Sequence, residues 1–485
     1  MASKLDPRSL GHIQFGMPLL RRPLGWPSRP HATLRFRPFA LLAIVGLLTG
    51  QMLPGAIPAV VSGDGHYLAL LESGTLYSWG RNDAGQLGYG GNVSSGWMRG
   101  PTSPARVSSP TAGQWLKVAA GDNHSLAIAS DGSLWAWGRN DLSQLGFRSV
   151  LRRLGFAAGK QEAGPVRVES DNDWAAVSGG MLSSIALKRD GSLWGWGGNW
   201  TGQLGDEEKR PLVDLNPPFE KLPRVTRPTR IGRDTDWTAI FAGAEHVLAL
   251  KRDGTLWAWG RNDCGQLGLG TFVPTNGPFR VGRDSDWVAF SAAGAGGWQG
   301  AHSAAIKRDG SLWVWGNWRG RKLPKGIADP ADTNLLSHPT RLGTDADWVR
   351  VACGNGHGVA LKSNGTLWIW GTETGGRLPD VTMPASGALV AQVGSDQNWV
   401  YAAIDGVGMG SEVTLNAIKS DGTVWSWDRK VFPASALGST VPGAGPPPMS
   451  QLQGGGFGSG PHQILSLGKS IPVPTRPTHA ENGTR

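Results

Sequence analysis

Several groups of residues in this sequence have types and spacings that are used in chemistry. In the stretch LWAWGRNDCGQLG, from Leu256 to Gly268, Cys264 directly follows Arg261-Asn262-Asp263. A thiol among charged groups is a combination found in nucleophilic catalysis. Two other patterns contain metal-ligand types, since Asp-x-Asp-Trp occurs four times and histidine recurs at one spacing. Those histidines are His66, His124, His246, His302 and His357.

A repeat explains where these residues occur. Strings similar to the cysteine-containing stretch begin at Leu76, Leu134, Leu193, Leu256, Leu312, Leu367 and Val424. The second aromatic residue of each copy recurs at intervals of 55 to 63 residues. A fixed period of this length indicates a repeat architecture. The stretch is therefore predicted to be a structural unit that the chain uses seven times.

Each repeat has the content of one propeller blade. From Trp237 to Gly268, two short alternating apolar runs are followed by Arg-Asp-Gly and the run TLWAW. Asp-Gly between strands predicts a type I′ hairpin turn, in which both central residues take positive φ. A variable loop and a fourth strand-like piece come after Gln-Leu-Gly. The sequence thus predicts an all-β fold, a seven-bladed β-propeller of four-stranded blades over residues 59–430, with little helix.

The string G-x-L-W-x-W-G-x-N-x-x-G-Q-L-G resembles the repeat of the regulator of chromosome condensation family. The resemblance covers roughly Ala59 to Lys430, although copies five to seven lose the Gln-Leu-Gly ending. Members of that family form seven-bladed β-propellers, so the resemblance implies the same fold. It also implies a function known in the family, guanine-nucleotide exchange on a small GTPase with chromatin association, but fold does not imply function.

The repeat favours structural roles for the residues that suggested chemistry. Histidines fixed by a repeat fall one per blade, too far apart to share a metal ion. Ser183 and Thr414 take their place in two copies, which predicts hydrogen bonds to local backbone. The Asp-x-Asp-Trp segments lack the other ligands of a calcium loop and predict Asx turns. Cys264 and Cys353 lie two repeats apart and are predicted to be free thiols. We expect no enzyme activity, cofactor or metal.

The repeat accounts for 19 of the 24 tryptophans in the chain, and Trp26 lies in the leader, which leaves four that the repeat does not explain. They lie in loops and are Trp97, Trp200, Trp298 and Trp318. Strands that run up and down place the first-to-second and third-to-fourth connections of every blade at one end of the ring. This end, called the long-loop end below, carries the long insertions and these indoles, which predicts a binding hot spot there. The alternative is that each indole covers its own loop against the propeller body.

The two ends of the chain differ in composition from the repeats. Residues 1–38 are basic and predicted to be disordered, and residues 39–58 contain FALLAIVGLL. The order of basic, apolar and small residues favours a secretory signal peptide core. A membrane anchor over residues 39–61 is the second interpretation, and a basic arm on a cytosolic protein is the third. Residues 431–485 are predicted to be a Gly/Pro-rich tail, with 462–468 as a closing strand for the seventh blade.

The net charge of +10 lies in these two terminal segments, which leaves the propeller neutral. A neutral ring has no general electrostatic reason to bind nucleic acid. The favoured function is an extracytoplasmic, monomeric interaction scaffold, either exported or membrane-anchored. It would bind another protein or a surface polymer through the long-loop end. The alternative is the nucleotide exchange that the resemblance implies. The leader argues against this alternative, because it indicates export.

Overall fold

The computed structural model describes eleven parts of the chain: residues 56, 58–90, 104–111, 113–147, 161–205, 222–293, 301–317, 335–371, 390–404, 414–427 and 462–466. The chain divides into two compact units, residues 1–38 and 39–485, and every described residue belongs to the second. The predicted leader, nearly all of the signal or anchor segment and most of the tail lie outside the described residues. Among those described, no helix has the length and apolarity needed to cross a bilayer.

The described residues form 28 strands in seven sheets, each made of four consecutive antiparallel strands. Blade 1 contains β1 (Ala59–Ser62), β2 (His66–Leu70), β3 (Leu76–Gly80) and β4 (Ala105–Val107), and blade 2 contains β5 (Trp115–Ala120), β6 (His124–Ala129), β7 (Leu134–Arg139) and β8 (Gln161–Val168). Blade 3 contains β9 (Trp174–Gly179), β10 (Ser183–Lys188), β11 (Leu193–Gly198) and β12 (Arg224–Ile231), and blade 4 contains β13 (Trp237–Ala242), β14 (His246–Lys251), β15 (Leu256–Gly260) and β16 (Thr275–Arg280).

Blade 5 contains β17 (Trp287–Ala293), β18 (His302–Lys307), β19 (Leu312–Gly316) and β20 (Leu336–Arg341), and blade 6 contains β21 (Trp348–Cys353), β22 (His357–Lys362), β23 (Leu367–Gly371) and β24 (Ala391–Gln392). Blade 7 contains β25 (Trp399–Ile404), β26 (Leu415–Lys419), β27 (Thr423–Trp427) and β28 (His462–Ser466). The predicted all-β, seven-bladed propeller with four-stranded blades is confirmed.

The blades form a closed ring whose first strands surround the axis. First strands of neighbouring blades contact one another all the way round, including β25 with β1. The apolar core lies between blades, where the repeated tryptophans are buried. Val60 and Trp79 of blade 1 pack with Ile418 and Val424 of blade 7, so the ring closes by side-chain packing. Strand β28 pairs with β27 and supplies the fourth strand of the seventh sheet.

The Asp-Gly turns differ from the predicted type I′ geometry, and Gly254 shows why. Its φ is +79°, but the aspartate before it does not have positive φ. The Gly254 N–H donates to the Lys251 carbonyl oxygen at 3.0 Å. Asp253 Oδ1 accepts from the N–H of Thr255 at 2.9 Å and from its hydroxyl at 2.6 Å. The aspartate therefore caps the chain beyond the glycine, and only the glycine needs the left-handed conformation.

The Asp-x-Asp-Trp segments bind a lysine, where the sequence predicted Asx turns to their own backbone. In blade 4, Lys251 Nζ lies 2.6 Å from Asp234 Oδ2 and 3.2 Å from Asp236 Oδ1. The same ammonium lies 4.8 Å from the ring centroid of Trp237 and 4.7 Å from that of Trp257. Equivalent lysines between two indoles are Lys188, Lys307, Lys362 and Lys419. The carboxylates thus stabilise the end of the ring opposite the long loops.

Candidate interaction surface at the long-loop end

The corner after the third strand is built by the asparagine and glutamine of the repeat. In blade 4, the Cys264 N–H donates to Gln266 Oε1 at 2.8 Å, and the Leu267 N–H donates to Asn262 Oδ1 at 3.0 Å. Cys264 is buried, and burial raises the pKa of its thiol. Both cysteines are free, as predicted. A buried thiol of raised pKa is a poor nucleophile, so this corner is a structural unit.

Each such corner is fixed to the next blade. The Gln266 carbonyl oxygen accepts hydrogen bonds from Trp315 Nε1 and from Ser303 Oγ, both at 2.8 Å. Ser303 Oγ also lies 3.0 Å from His246 Nε2. The sequence predicted a bond from this histidine to local backbone; its partner is a side chain of the neighbouring blade. The same arrangement joins blades 1 and 2 through His66.

These histidines are neutral structural groups. Burial lowers the pKa of His66, His124 and His246 to about 3. Within the part of the chain that the structure describes, no group of three or more His, Cys, Asp or Glu side chains is placed to hold a metal ion. The imidazoles of His66, His124 and His246 therefore join blade to blade and leave the surface of the long-loop end to other residues.

Trp200 lies on this surface, at the seam between blades 3 and 4. It occupies the corner position where other repeats have aspartate and is half-buried. Its Nε1 donates to Glu245 Oε1 of blade 4 at 3.0 Å. Its six-membered ring covers Gly198, where an added Cβ would approach it to 2.2 Å. The other three predicted tryptophans, Trp97, Trp298 and Trp318, lie outside the described residues.

Glu245 links Trp200 to an arginine–carboxylate cluster. It is buried and accepts the indole N–H on one oxygen while Arg261 Nη1 binds the other. Arg261 Nη2 also lies 2.6 Å from Asp263 Oδ2. The indole of Trp200 is thus hydrogen-bonded to a buried carboxylate that is itself paired with Arg261. The orientation of the indole is therefore fixed before a partner binds.

A similar cluster lies on blade 1. Arg81 Nη1 lies 2.6 Å from Asp64 Oδ2, and its Nη2 lies 2.6 Å from Asp83 Oδ2. Asp122 follows on blade 2, where burial and the nearby Asp64 raise its pKa to about 8. Main-chain bonds also join successive turns at this end: the Asp64 N–H donates to the Asp122 carbonyl at 3.0 Å, and the Asp122 N–H donates to the Gly180 carbonyl at 3.2 Å.

Acidic residues outnumber basic residues in the described part of the long-loop end. The acidic set is Asp64, Asp83, Asp122, Asp141, Glu162, Glu245 and Asp263, and the basic set is Arg81, Arg139, Arg224 and Arg261. The neutral total charge of the propeller concealed this local excess, because the sequence of the insertions at the same end contains basic residues that offset it, among them Arg152, Arg153, Arg319 and Arg321. In the sequence, the local excess of acidic residues is visible in the Arg-Asn-Asp string and in the Asp-Asn turn of individual repeats.

Comparison with known proteins identifies the family. Residues 41–384 match the family model of the RCC1-like domain. The chain belongs to this family. The resemblance of its repeats to those of the regulator of chromosome condensation is thereby confirmed.

The chain is similar to relatives of very different length. The chain is 28% identical over 323 residues to the Ultraviolet-B receptor UVR8 of Arabidopsis thaliana, covering 66% of each protein. It is 29% identical over 324 residues to the RCC1 domain-containing protein RUG3, mitochondrial, of the same plant, covering 64% of this chain and 65% of that one. The human E3 ubiquitin-protein ligase HERC2 is 29% identical over 281 residues, covering 56% of this chain and 5% of that protein. The chain thus spans about two thirds or less of these relatives.

Solved structures share the propeller. Human WBSCR16 gives a TM-score of 0.53 at 19% identity, covering 73% of this chain and 88% of that one. Yeast RCC1 (Prp20), in a complex with Kap60, gives a TM-score of 0.53 at 23% identity, covering 73% of this chain and 80% of that one. At these identities the likeness shows the fold alone.

Proposed function

We propose that this RCC1-like propeller is a protein-interaction scaffold that binds its partner through the long-loop end. The observation that carries the proposal is Trp200, a half-buried indole that Glu245 holds in a fixed orientation at the seam of two blades. Preoriented aromatic side chains on a rigid scaffold are the usual anchors of protein interfaces, because little side-chain entropy is lost on binding.

The charges around Trp200 favour a particular kind of partner. The described part of this end has more carboxylates than cations, and several of them are tied into clusters with arginine. Complementary charge steers association and fixes orientation. The partner that suits this surface is a protein with basic groups around an apolar patch. Binding of another protein has a parallel in the family, since yeast RCC1 has been solved bound to Kap60.

Binding is tested by placing a photoreactive amino acid at single positions of the full-length protein in the cells that produce it. We expect cross-links to a partner from position 200 and none from position 279. Phe279 is a matched control, because it is an aromatic residue of the outer strand β16 with 54% of its surface exposed. Affinity capture should then recover that cross-linked partner with wild type and with Phe279→Ala, but not with Trp200→Ala. Equal recovery by both variants would contradict the proposal.

We also propose that the scaffold acts outside the cytoplasm, exported or anchored through residues 39–58. The support is the order of basic, apolar and small residues in the leader. N-terminal sequencing of the mature protein tests this directly. We expect cleavage between about Gly50 and Ala59, or an uncleaved product in the membrane fraction if the segment is an anchor. A soluble full-length product in the cytoplasm would exclude both and would favour the nucleotide-exchange alternative.

A further inference from the structure

The turn between the first and second strands of blade 3 is more apolar than its counterparts. It contains Met181 and Leu182, of which Leu182 is buried and Met181 is half-buried. The corresponding turns of blades 1, 2, 4 and 6 each contain a polar or acidic residue: Asp64, Asp122, Glu245 and Asn355. Blade 3 also carries Trp200 at the corner position where other repeats have aspartate. Apolar side chains therefore take both of these positions in one blade of the long-loop end.

Main-chain bonds and the indole ring bring Met181 and Trp200 to the same place. The carbonyl oxygen of the leucine after Met181 accepts the Gly198 N–H at 2.8 Å, and the six-membered ring of Trp200 covers Gly198. The Met181 N–H donates to the Ala244 carbonyl oxygen at 3.0 Å, and Glu245, the next residue, accepts from Trp200 Nε1. Both half-buried side chains thus border one turn of blade 4 and lie beside one strand end of blade 3. We call Met181 and Trp200 the blade 3 patch.

Asp122 lies next to this patch, on the side of blade 2. Its N–H donates to the carbonyl oxygen of Gly180, the residue before Met181, at 3.2 Å. Its Oδ2 accepts from Asn123 Nδ2 at 2.7 Å, whereas its buried Oδ1 has no hydrogen-bond partner in the described parts of the chain. A buried polar atom without a partner is unfavourable, so this carboxylate lacks a donor that a ligand can supply.

The charges around Asp122 also leave it uncompensated. Arg81 forms ion pairs with Asp64 and Asp83, and Asp122 forms no ion pair of its own among the described residues. Burial and the nearby Asp64 raise the pKa of Asp122 more than Arg81 and Arg139 lower it. The blade 3 patch therefore adjoins a carboxylate that a cation from outside the chain would stabilise.

We propose that the blade 3 patch and Asp122 together bind a segment of the partner protein in which a lysine or arginine adjoins a large apolar side chain. The apolar side chain covers Met181 and Trp200, and the cation pairs with the Asp122 carboxylate. The flexible thioether adapts to the shape of the segment, while the preoriented indole supplies a rigid contact. The inference rests on the proposed function, because it specifies the segment that the long-loop end takes.

Selection of displayed random-sequence peptides on immobilised full-length protein tests this specificity with a defined probe. We expect enrichment of peptides in which lysine or arginine adjoins a large aliphatic or aromatic residue, because the site offers an apolar surface beside a carboxylate. The most enriched peptide is then synthesised with a fluorescent label, and its Kd is measured by fluorescence polarisation for wild type and variants.

Asp122→Asn and Met181→Asn should each weaken binding of that peptide by about tenfold or more, since a hydrogen bond to a charged group and a buried apolar side chain each contribute that much. Met181→Asn copies the residue that blade 6 has at the same position of the turn. Asn355→Ala, on blade 6, is the matched control and should bind like wild type. All three variants should keep the Tm of wild type, because position 122 retains an acceptor for Asn123 and the other two positions are half-buried.

A double-mutant cycle separates a direct contact from an indirect effect. Replacing the basic residue of the peptide by glutamine should weaken binding to wild type but have little further effect on binding to Asp122→Asn. Additive losses, no enrichment, enriched peptides without a basic residue beside an apolar one, or unchanged binding by both asparagine variants would overturn the inference. Cross-links from position 200 to a partner would in that case still support the scaffold, whereas the absence of those cross-links contradicts the proposed function itself.

Discussion

The Nε2 of His246 in blade 4 lies 3.0 Å from the Oγ of Ser303 in blade 5. The serine hydroxyl donates its only proton to the Gln266 carbonyl oxygen at 2.8 Å, so the imidazole must donate from Nε2. Between blades 3 and 4 both partners are replaced: blade 3 has Ser183 in place of the histidine, and blade 4 has Val247 in place of the serine. His302 and His357 are kept although blades 6 and 7 have Gly358 and Leu415 at the serine position. Where both residues are present, as for His66, His124 and His246, they form one contact between blades.

Removing the serine should destabilise the ring. Ser303→Ala leaves a buried imidazole N–H without an acceptor, which is expected to lower the free energy of unfolding by about 1–3 kcal/mol. Guanidinium denaturation measures it, with Ser337→Ala as the control, since Ser337 makes an exposed hydrogen bond. The double variant His246→Ser, Ser303→Val copies the natural Ser183 and Val247 pair and should lose less than the sum of its single changes. Strict additivity would argue against a coupled pair.

The buried histidines should make stability fall in mild acid. Their pKa is about 3 in the folded protein, below the ordinary value of 6.5, so the unfolded chain binds more protons between these limits. Their contribution is complete above pH 6.5 and is lost as pH falls toward 3. Each histidine is expected to lower the free energy of unfolding by about 1.4 kcal/mol per pH unit in that window. His246→Asn should reduce the pH dependence of the free energy of unfolding by the contribution of one histidine, about 1.4 kcal/mol per pH unit. An unchanged pH dependence would contradict this assignment.

Local periodicity was sufficient to predict the propeller from the sequence. L-W-x-W alternates with period two, and its second aromatic fills the space between blades, so strand identity and the buried face follow from residue type. The predicted turn type was wrong. Asp253 accepts hydrogen bonds from Thr255 with its side chain and does not adopt positive φ. A dipeptide signal does not contain that side-chain bond.

Contacts between blades could not be predicted from the sequence. The bonds of His246 to Ser303 and of Trp200 to Glu245 join residues 57 and 45 positions apart, and both depend on how one sheet stacks on the next. The sequence did indicate that Trp200 was not required by the repeat, but not that a buried carboxylate orients it. The lost Gln-Leu-Gly endings have a structural counterpart, since Trp370 Nε1 and Trp427 Nε1 have no partner among the described residues.

The lysine between two indoles should stabilise each blade that has one. Lys251→Met keeps the stem between Trp237 and Trp257 but removes the cation and its two ion pairs. We expect a loss of about 1 kcal/mol in the free energy of unfolding, because the aspartates are half-exposed and exposed pairs contribute little. Urea denaturation in low and high salt measures it, and salt should reduce the difference from wild type. Arg252→Gln, which removes a solvated charge, should stay within about 0.5 kcal/mol of wild type.

Glu245 should influence partner binding through the orientation of Trp200. Glu245→Gln retains an oxygen for the indole N–H, whereas Glu245→Ala removes the acceptor and frees the side chain. We expect Glu245→Ala to reduce cross-linking from position 200 and partner capture nearly as much as Trp200→Ala does. Glu245→Gln should keep most of both, as should the control Asp253→Asn at the opposite end. Equal loss in the Gln and Ala variants would assign the effect to the Arg261 ion pair instead.

The segment after Lys430 should contribute stability through β28. Four registered pairs join β28 to β27, from Thr423–Ser466 to Ser426–His462. Truncation after Lys430 leaves β27 as an open edge and should lower the free energy of unfolding by about 1–4 kcal/mol, the sum of four cross-strand pairs. The ring should still close, because Val60 and Ile418 pack without this strand. Thermal unfolding followed by circular dichroism should show a lower Tm with the β signal retained, and light scattering should show aggregation through the exposed edge. Truncation after Lys469 keeps β28 and is the matched control; if both truncations have the same Tm, β28 does not stabilise the seventh blade.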